Sequence, residues 1–229
     1  MPVIVLLLAL AFAASPLWVP GFGGFDPDKF PFPQTNPPVQ PAGYAFSIWG
    51  VIYLWLIIGC GFGAWRRAKD AAWVPMRMPL ALSLGFGAIW LPVAVLSPIW
   101  ATLLIWVMLI TALWALWLSP HTDAWAAALP VALYAGWLSA ASFVALGLML
   151  GGYGWTSDTT AAWVMIALAI GLAFGVQWRL ARAPTYAIAV IWALVAVAVR
   201  DGFDPTGISA LALCGAVIMF WPTLRSIMA

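Results

Sequence analysis

Charge is nearly absent from this chain. Lysine, arginine and aspartate make up 7% of its 229 residues, there is no glutamate, and there is one histidine. A soluble domain carries roughly a quarter charged residues. The shortfall excludes a soluble enzyme, a coiled coil, a disordered tail and a basic nucleic-acid-binding face. Cysteine is scarce too: Cys60 and Cys214 lie in apolar runs with no metal-ligand spacing and read as small packing residues. With His121 as the single histidine, one chain can build neither a His-rich metal site nor a bis-His haem. What is abundant is hydrocarbon and indole, at 66% hydrophobic residues and 17 tryptophans. Mean hydropathy is +1.04. Such a composition belongs to a polytopic membrane protein.

A bilayer core about 30 Å thick takes roughly 20 apolar helical residues to cross. Eight stretches qualify: 2–19, 44–65, 74–96, 98–118, 124–150, 159–180, 184–199 and 207–224. The seventh is the shortest, bounded by Pro184 and Arg200. Barrel-type alternation of polar and apolar residues is missing, so the expected fold is all-α, an eight-helix transmembrane bundle. The first stretch ends in a small-residue segment, Ala11 to Ser15, that resembles a signal-peptide cleavage site. It lacks a basic leader, so a retained helix is expected. Lysine and arginine set the orientation. Arg66, Arg67, Lys69 and Arg77 follow the second span, and eight spans place Arg179, Arg182 and Arg225 on the same side. Lys29 and Arg200 fall opposite. Both termini are therefore expected in the cytoplasm.

Residues 20–43 form the one long connection, with seven prolines from Pro20 to Pro41. Proline fixes φ and removes a donor, so this segment is stiff and extended. Its Phe30-Pro31-Phe32-Pro33 run gives it an apolar underside, suited to a lid on the bundle. The tryptophans divide by depth. Trp18, Trp65, Trp73, Trp100, Trp117, Trp125, Trp155, Trp163, Trp178 and Trp221 lie near span ends, as an interfacial belt requires. Trp49, Trp55, Trp90, Trp106, Trp114, Trp137 and Trp192 lie deeper, where an indole N–H wants an acceptor. Phe46, Trp49 and Tyr53 share a stripe at i, i+3 and i+7. Phe86 and Trp90 pair before Pro92, and Tyr134 and Trp137 follow Pro130. An aromatic-walled pocket beneath the loop is the simplest arrangement of these rings.

The segment Pro41-Ala42-Gly43-Tyr44-Ala45-Phe46-Ser47-Ile48-Trp49-Gly50-Val51-Ile52-Tyr53 resembles the start of the second helix in the TspO/MBR family of tryptophan-rich sensory and translocator proteins. Trp90-Leu91-Pro92 is similar to that family's third-helix Trp-x-Pro. Trp106 and Trp114 match two fourth-helix tryptophans, and Pro130 to Ser142 resembles the fifth-helix segment. Tyr44 stands where the family has Trp, Gly87 where it has the third-helix Asn, and Ser142 where it has the fifth-helix Asn. The resemblance covers residues 1–150 and implies a five-helix core there. Residues 151–229 then supply three additional helices, as in a longer bacterial branch of the cytoplasmic (inner) membrane. It further implies a pocket for a porphyrin or haem, or for a sterol-like molecule, and a possible homodimer. The ligand-binding residues so expected are Tyr44, Phe46, Trp49, Tyr53, Trp90, Trp106, Tyr134, Trp137 and Ser142.

The expected function is binding or sensing of a planar hydrophobic ligand, most simply a tetrapyrrole, with no cofactor or nucleic acid required. His121 lies in a connection at the far end from the expected pocket mouth, so contacts to such a ring are expected through indole rather than iron ligation. Coupled transport needs ionisable groups near the midplane. None falls in the interior of a span, which leaves only passive movement of an apolar molecule as a transport alternative. Serines such as Ser47, Ser83, Ser97, Ser139 and Ser142 have no general base within reach in sequence, and no paired carboxylates occur within the spans. The catalysis left open is the light-dependent porphyrin degradation that the resemblance implies. A ligand-free structural subunit is the remaining alternative. Gly59-x-x-x-Gly63, Gly147-x-x-x-Gly151 and Gly171-x-x-x-Gly175 read as packing within the monomer.

Overall fold

The structure, a computed structural model, describes residues 1–204 and 207–228. A backbone in hydrocarbon must satisfy its own N–H and C=O groups. Here it does so with eight helices and, among the described residues, no strand. They are α1 (Pro2–Ala14), α2 (Ile48–Trp65), α3 (Val74–Leu96), α4 (Pro98–Trp117), α5 (Ala128–Gly152), α6 (Asp158–Leu180), α7 (Thr185–Arg200) and α8 (Ile208–Met228). Local chemistry sets several starts. The hydroxyl of Ser97 accepts the N–H of Trp100 at 3.4 Å, and that of Ser157 accepts the N–H of Thr160 at 3.1 Å. Pro98 sits in the first turn of α4, where a missing N–H costs nothing.

Three boundaries differ from the apolar runs. Residues 15–17 and 43–47 are tighter 3-10 turns rather than α-helix, after α1 and before α2. Residues 124–127 belong to the turn before α5, which opens at Asp123 with φ 54°. Hydropathy does not separate these turns from the helices they adjoin.

Six segments are long and apolar enough to cross a bilayer, whereas Pro2–Leu17 and Thr185–Arg200 are shorter. Sixteen helical residues rise about 24 Å, against a core of about 30 Å. Helix α7 nevertheless joins the two ends of the bundle. At its start the Thr185 hydroxyl donates to the Leu129 carbonyl at 2.7 Å, and at its finish Arg200 donates to Asn36 at 2.9 Å.

Helix α5 is the axis. It is the most enclosed of the six long segments, with 83% of its most apolar window buried, and it packs against α2, α4, α6 and α7. Its run of Ala, Gly and Ser lets neighbours approach closely. Gly136 lies against the Tyr186 carbonyl, where a Cβ has no room. Buried hydroxyls pair off along this axis, as buried polar groups must. Ser139 and Tyr186 lie 2.8 Å apart, Ser83 and Tyr134 3.0 Å apart, and Ser83 donates to the Met108 carbonyl at 2.8 Å.

The connections gather at two ends. At the basic end Arg67 meets Asp123 at 2.6 Å, and that carboxylate raises the arginine pKa. Arg182 donates there to carbonyls of Leu116, Trp117, Ser119 and Pro120. Burial lowers the Arg182 pKa. At the opposite end lies the long loop, here called the lid. Of the ten tryptophans expected at the interface, nine are exposed and Trp73 is buried, with 4% of its surface accessible.

Candidate functional site

The lid is held by named contacts to α5, α6 and α7. Phe32 N–H donates to the Gly152 carbonyl at 2.9 Å and Ala42 N–H to the Ala196 carbonyl at 3.0 Å. The Gln34 side-chain amide donates to Asp158 at 3.2 Å, and the Arg200–Asn36 bond pins the same loop from α7. Phe30 is buried against Gly152, and Val39 sits on Gly147, where a Cβ would lie 3.0 Å from its methyl. The glycines after residue 146 thus make a seat for the lid's apolar side.

Beneath it is an apolar pocket enclosing about 790 Å³ of space, its open mouth included. Phe22, Gly24, Phe25, Val39, Gln40 and Pro41 of the lid line one side. Trp90 and Ile105 contribute from α3 and α4, and Phe46 from the turn before α2. Helix α5 supplies Trp137, Ala140, Ala141, Phe143, Val144, Ala145 and Leu148. Met165, Ile166 and Ala169 of α6 and Ala193, Leu194 and Val197 of α7 close the remainder. Gln40 is the one lining residue with a polar side chain other than the two indoles, and no charged residue lines the pocket.

The two indoles differ. Trp90 Nε1 donates to the Ala101 carbonyl at 2.9 Å, and its ring meets Phe22 edge-on with centroids 5.4 Å apart. Trp137 is 2% exposed, its ring stands edge-on to Phe46 at 6.0 Å, and its Nε1–H has no partner. A buried donor without an acceptor costs about 1–3 kcal/mol.

Of the nine residues expected to bind ligand, Phe46, Trp90 and Trp137 line this pocket. The other six lie outside its lining. Trp49 and Tyr53 stack at 5.2 Å in a cluster filled by Phe12 of α1, whose ring lies 5.6, 4.9 and 5.6 Å from Trp49, Tyr53 and Tyr134. Tyr134 is fully buried and bonded to Ser83. Phe12 fits because α3 carries Gly87 there: a Cβ on Gly87 would lie 2.8 Å from its ring. The position at which the resemblance expects an amide is therefore the seat of a phenyl ring. Ser142 is buried, with its hydroxyl 3.5 Å from the Ile105 carbonyl. Trp106 packs edge-on against Phe143 at 5.1 Å, and Tyr44 is 45% exposed and packs on Trp192. Trp192 in turn donates to the Ala45 carbonyl at 3.0 Å.

Sequence reasoning missed Phe12, Phe22, Phe25 and the small residues of α6 and α7. Phe22 and Phe25 carry a signal, as aromatic residues in the glycine-rich start of the lid, Gly21 to Asp26. The alanines do not, since alanine is everywhere in the last three helices. Among the described residues no three His, Cys, Asp or Glu side chains gather into a metal site, and His121 is exposed in the connection at the basic end.

The fold and site are those of a helical membrane bundle with a lidded apolar pocket beside its central helix. The family model for TSPO-like proteins matches residues 33–224, from the lid through α8, and the chain belongs to that family. No curated protein and no solved structure matches it. The match runs past residue 150 to include α6, α7 and most of α8.

Proposed function

We propose that this multi-pass membrane protein binds a planar apolar ligand in the pocket under the lid, admitting and releasing it by lid movement. The observation that carries the reading is Trp137. Its indole N–H is buried and unpaired on the wall of a pocket with almost no other polar group. A ligand with one acceptor atom facing that donor removes its cost, while edge and face contacts with Phe22, Phe25 and Trp90 suit a flat ring system.

The ligand class carried over from the family resemblance is a tetrapyrrole. The lining suits an apolar ring and offers no cation for its carboxylates, which in this reading extend through the mouth. Met165 is the one lining side chain of an iron-ligating type. Contacts to a bound porphyrin are accordingly apolar, with Trp137 as donor. The same cation-free lining favours a second reading, a sterol-like molecule whose single hydroxyl meets Trp137.

Titration of purified protein with protoporphyrin IX, followed by tryptophan fluorescence, tests the proposal. Saturable quenching is expected, weakened about fivefold or more by Trp137→Phe, which keeps a ring and deletes the donor. Competition by a sterol identifies the second ligand class. Quenching that fails to saturate, or that Trp137→Phe leaves unchanged, refutes the assignment of this pocket.

A further inference from the structure

A second, open hollow, about 380 Å³ with its mouth included, lies at the basic end of the bundle, between α1, α2, α3 and the start of α5. Its walls are mostly apolar, built from Val5, Leu56, Met76 and Leu80, and two side chains in it carry strong donors, Arg77 and Trp73, beside the weakly donating thiol of Cys60. Arg77 is 7% exposed and Trp73 4%.

Arg77 spends two N–H groups on backbone carbonyls, those of Ala68 at 3.1 Å and Arg67 at 2.6 Å. Among the described residues it forms no ion pair. The carboxylates at this end, Asp70 and Asp123, are engaged by Arg67. A buried guanidinium without a counter-anion is an expensive arrangement unless an anion reaches it. Trp73 adds an independent sign, because its Nε1–H is buried with no partner. It stands near a helix start where an indole ordinarily faces the headgroups, yet the chain turns it inward. Arg66 and Lys69 in the same connection add positive potential at this end. A cation, an unpaired donor and a hydrocarbon-walled hollow suit a molecule with an oxyanion head and an apolar tail.

We propose that this second pocket binds an anionic amphiphile. Its carboxylate or phosphate is taken by Arg77 and Trp73, and its chain lies along the walls formed by α1, α2 and α3. The proposal is independent of any ligand in the pocket under the lid. Its chemistry is common to a free fatty acid and to an anionic phospholipid of the adjoining leaflet.

The experiment is native mass spectrometry of the full chain, stripped of lipid in neutral detergent and mixed with equal amounts of oleate and oleyl alcohol. Oleate is expected to be retained about tenfold over the alcohol, the scale set by a hydrogen bond to a charged group. Trp73→Phe and Arg77→Gln are each expected to lower oleate occupancy several-fold. Should Arg77→Gln fail to fold, Trp73→Phe keeps the ring and decides alone. Displacement of oleate by phosphatidylglycerol supports the site with membrane phospholipid as the source. Retention of oleate against it supports the site with free fatty acid as the source. Equal retention of oleate and oleyl alcohol, occupancy unchanged in the variants, or displacement by inorganic phosphate alone overturns the proposal.

Discussion

Replacing Gly152 with alanine should release the lid. A Cβ at this position would occupy the space of the Phe30 ring, which is 4% exposed, so the ring has to leave its seat. Exposing a buried phenylalanine costs about 1.5–3 kcal/mol. Alanine's gain of up to about 1 kcal/mol in helix propensity over glycine acts with the lid open or closed alike and does not offset that cost. That cost, about 1.5–3 kcal/mol, falls on lid opening rather than on the bundle and multiplies the open population by about 10–150. Lys29 lies in the lid, so trypsin cleavage after it reports opening. Where opening and closing are fast relative to cleavage, the rate tracks the open population. Gly152→Ala is therefore expected to speed that cut by the same factor, with little change in Tm. Gly171→Ala is the control, because a Cβ there meets nothing within 4 Å. An unchanged cleavage rate in Gly152→Ala would refute the claim that the glycine seat holds the lid.

Three further outcomes follow from the packing. Phe12→Ala empties the centre of the Trp49–Tyr53–Tyr134 cluster and should cost about 3–5 kcal/mol, read as a lower Tm in a nanodisc. Porphyrin affinity should hold, because Phe12 does not line the lidded pocket. Ser139→Ala strands the buried Tyr186 hydroxyl and should cost about 1–3 kcal/mol, which Tyr186→Phe in the same chain largely restores. Stability unchanged in the single variant would remove that pair from the account. Topology reporters fused after residue 69 and after residue 155 should report opposite sides of the membrane, with residue 69 cytoplasmic, since seven of the nine basic residues gather at that end. Agreement between the two reporters would discard this orientation.

The helices were legible because hydrocarbon leaves a backbone few options, and runs such as 74–96 and 98–118 end where Ser97-Pro98 and Ser119-Pro120 interrupt them. The lid was legible from its prolines, and Trp90 and Trp137 from their depth and their partner prolines, Pro92 and Pro130. The partition of the rings was not. Whether Trp49 and Tyr53 face a hollow or a neighbour depends on Phe12, a ring in a helix with no aromatic motif of its own, and on the room that Gly87 leaves for it. The small residues Ala169 and Ala193 help shape the α6–α7 wall of the pocket by what they do not fill, and nothing in local sequence distinguishes them from other alanines. Trp73 reads as interfacial by position and is buried by tertiary packing. The same limit hides Arg77, whose burial follows from the folding back of the α2–α3 connection onto it.

The central claim is that ligand sits between the lid and α5, not in the ring cluster at Trp49 and Tyr53. Equilibrium titration with protoporphyrin IX of two variants, Val144→Trp and Tyr53→Phe, tests it most directly. Val144 lines the lidded pocket and Tyr53 does not. The account predicts that Val144→Trp, which fills the space, abolishes saturable binding while Tyr53→Phe leaves it intact. Binding that survives Val144→Trp and disappears in Tyr53→Phe would contradict it.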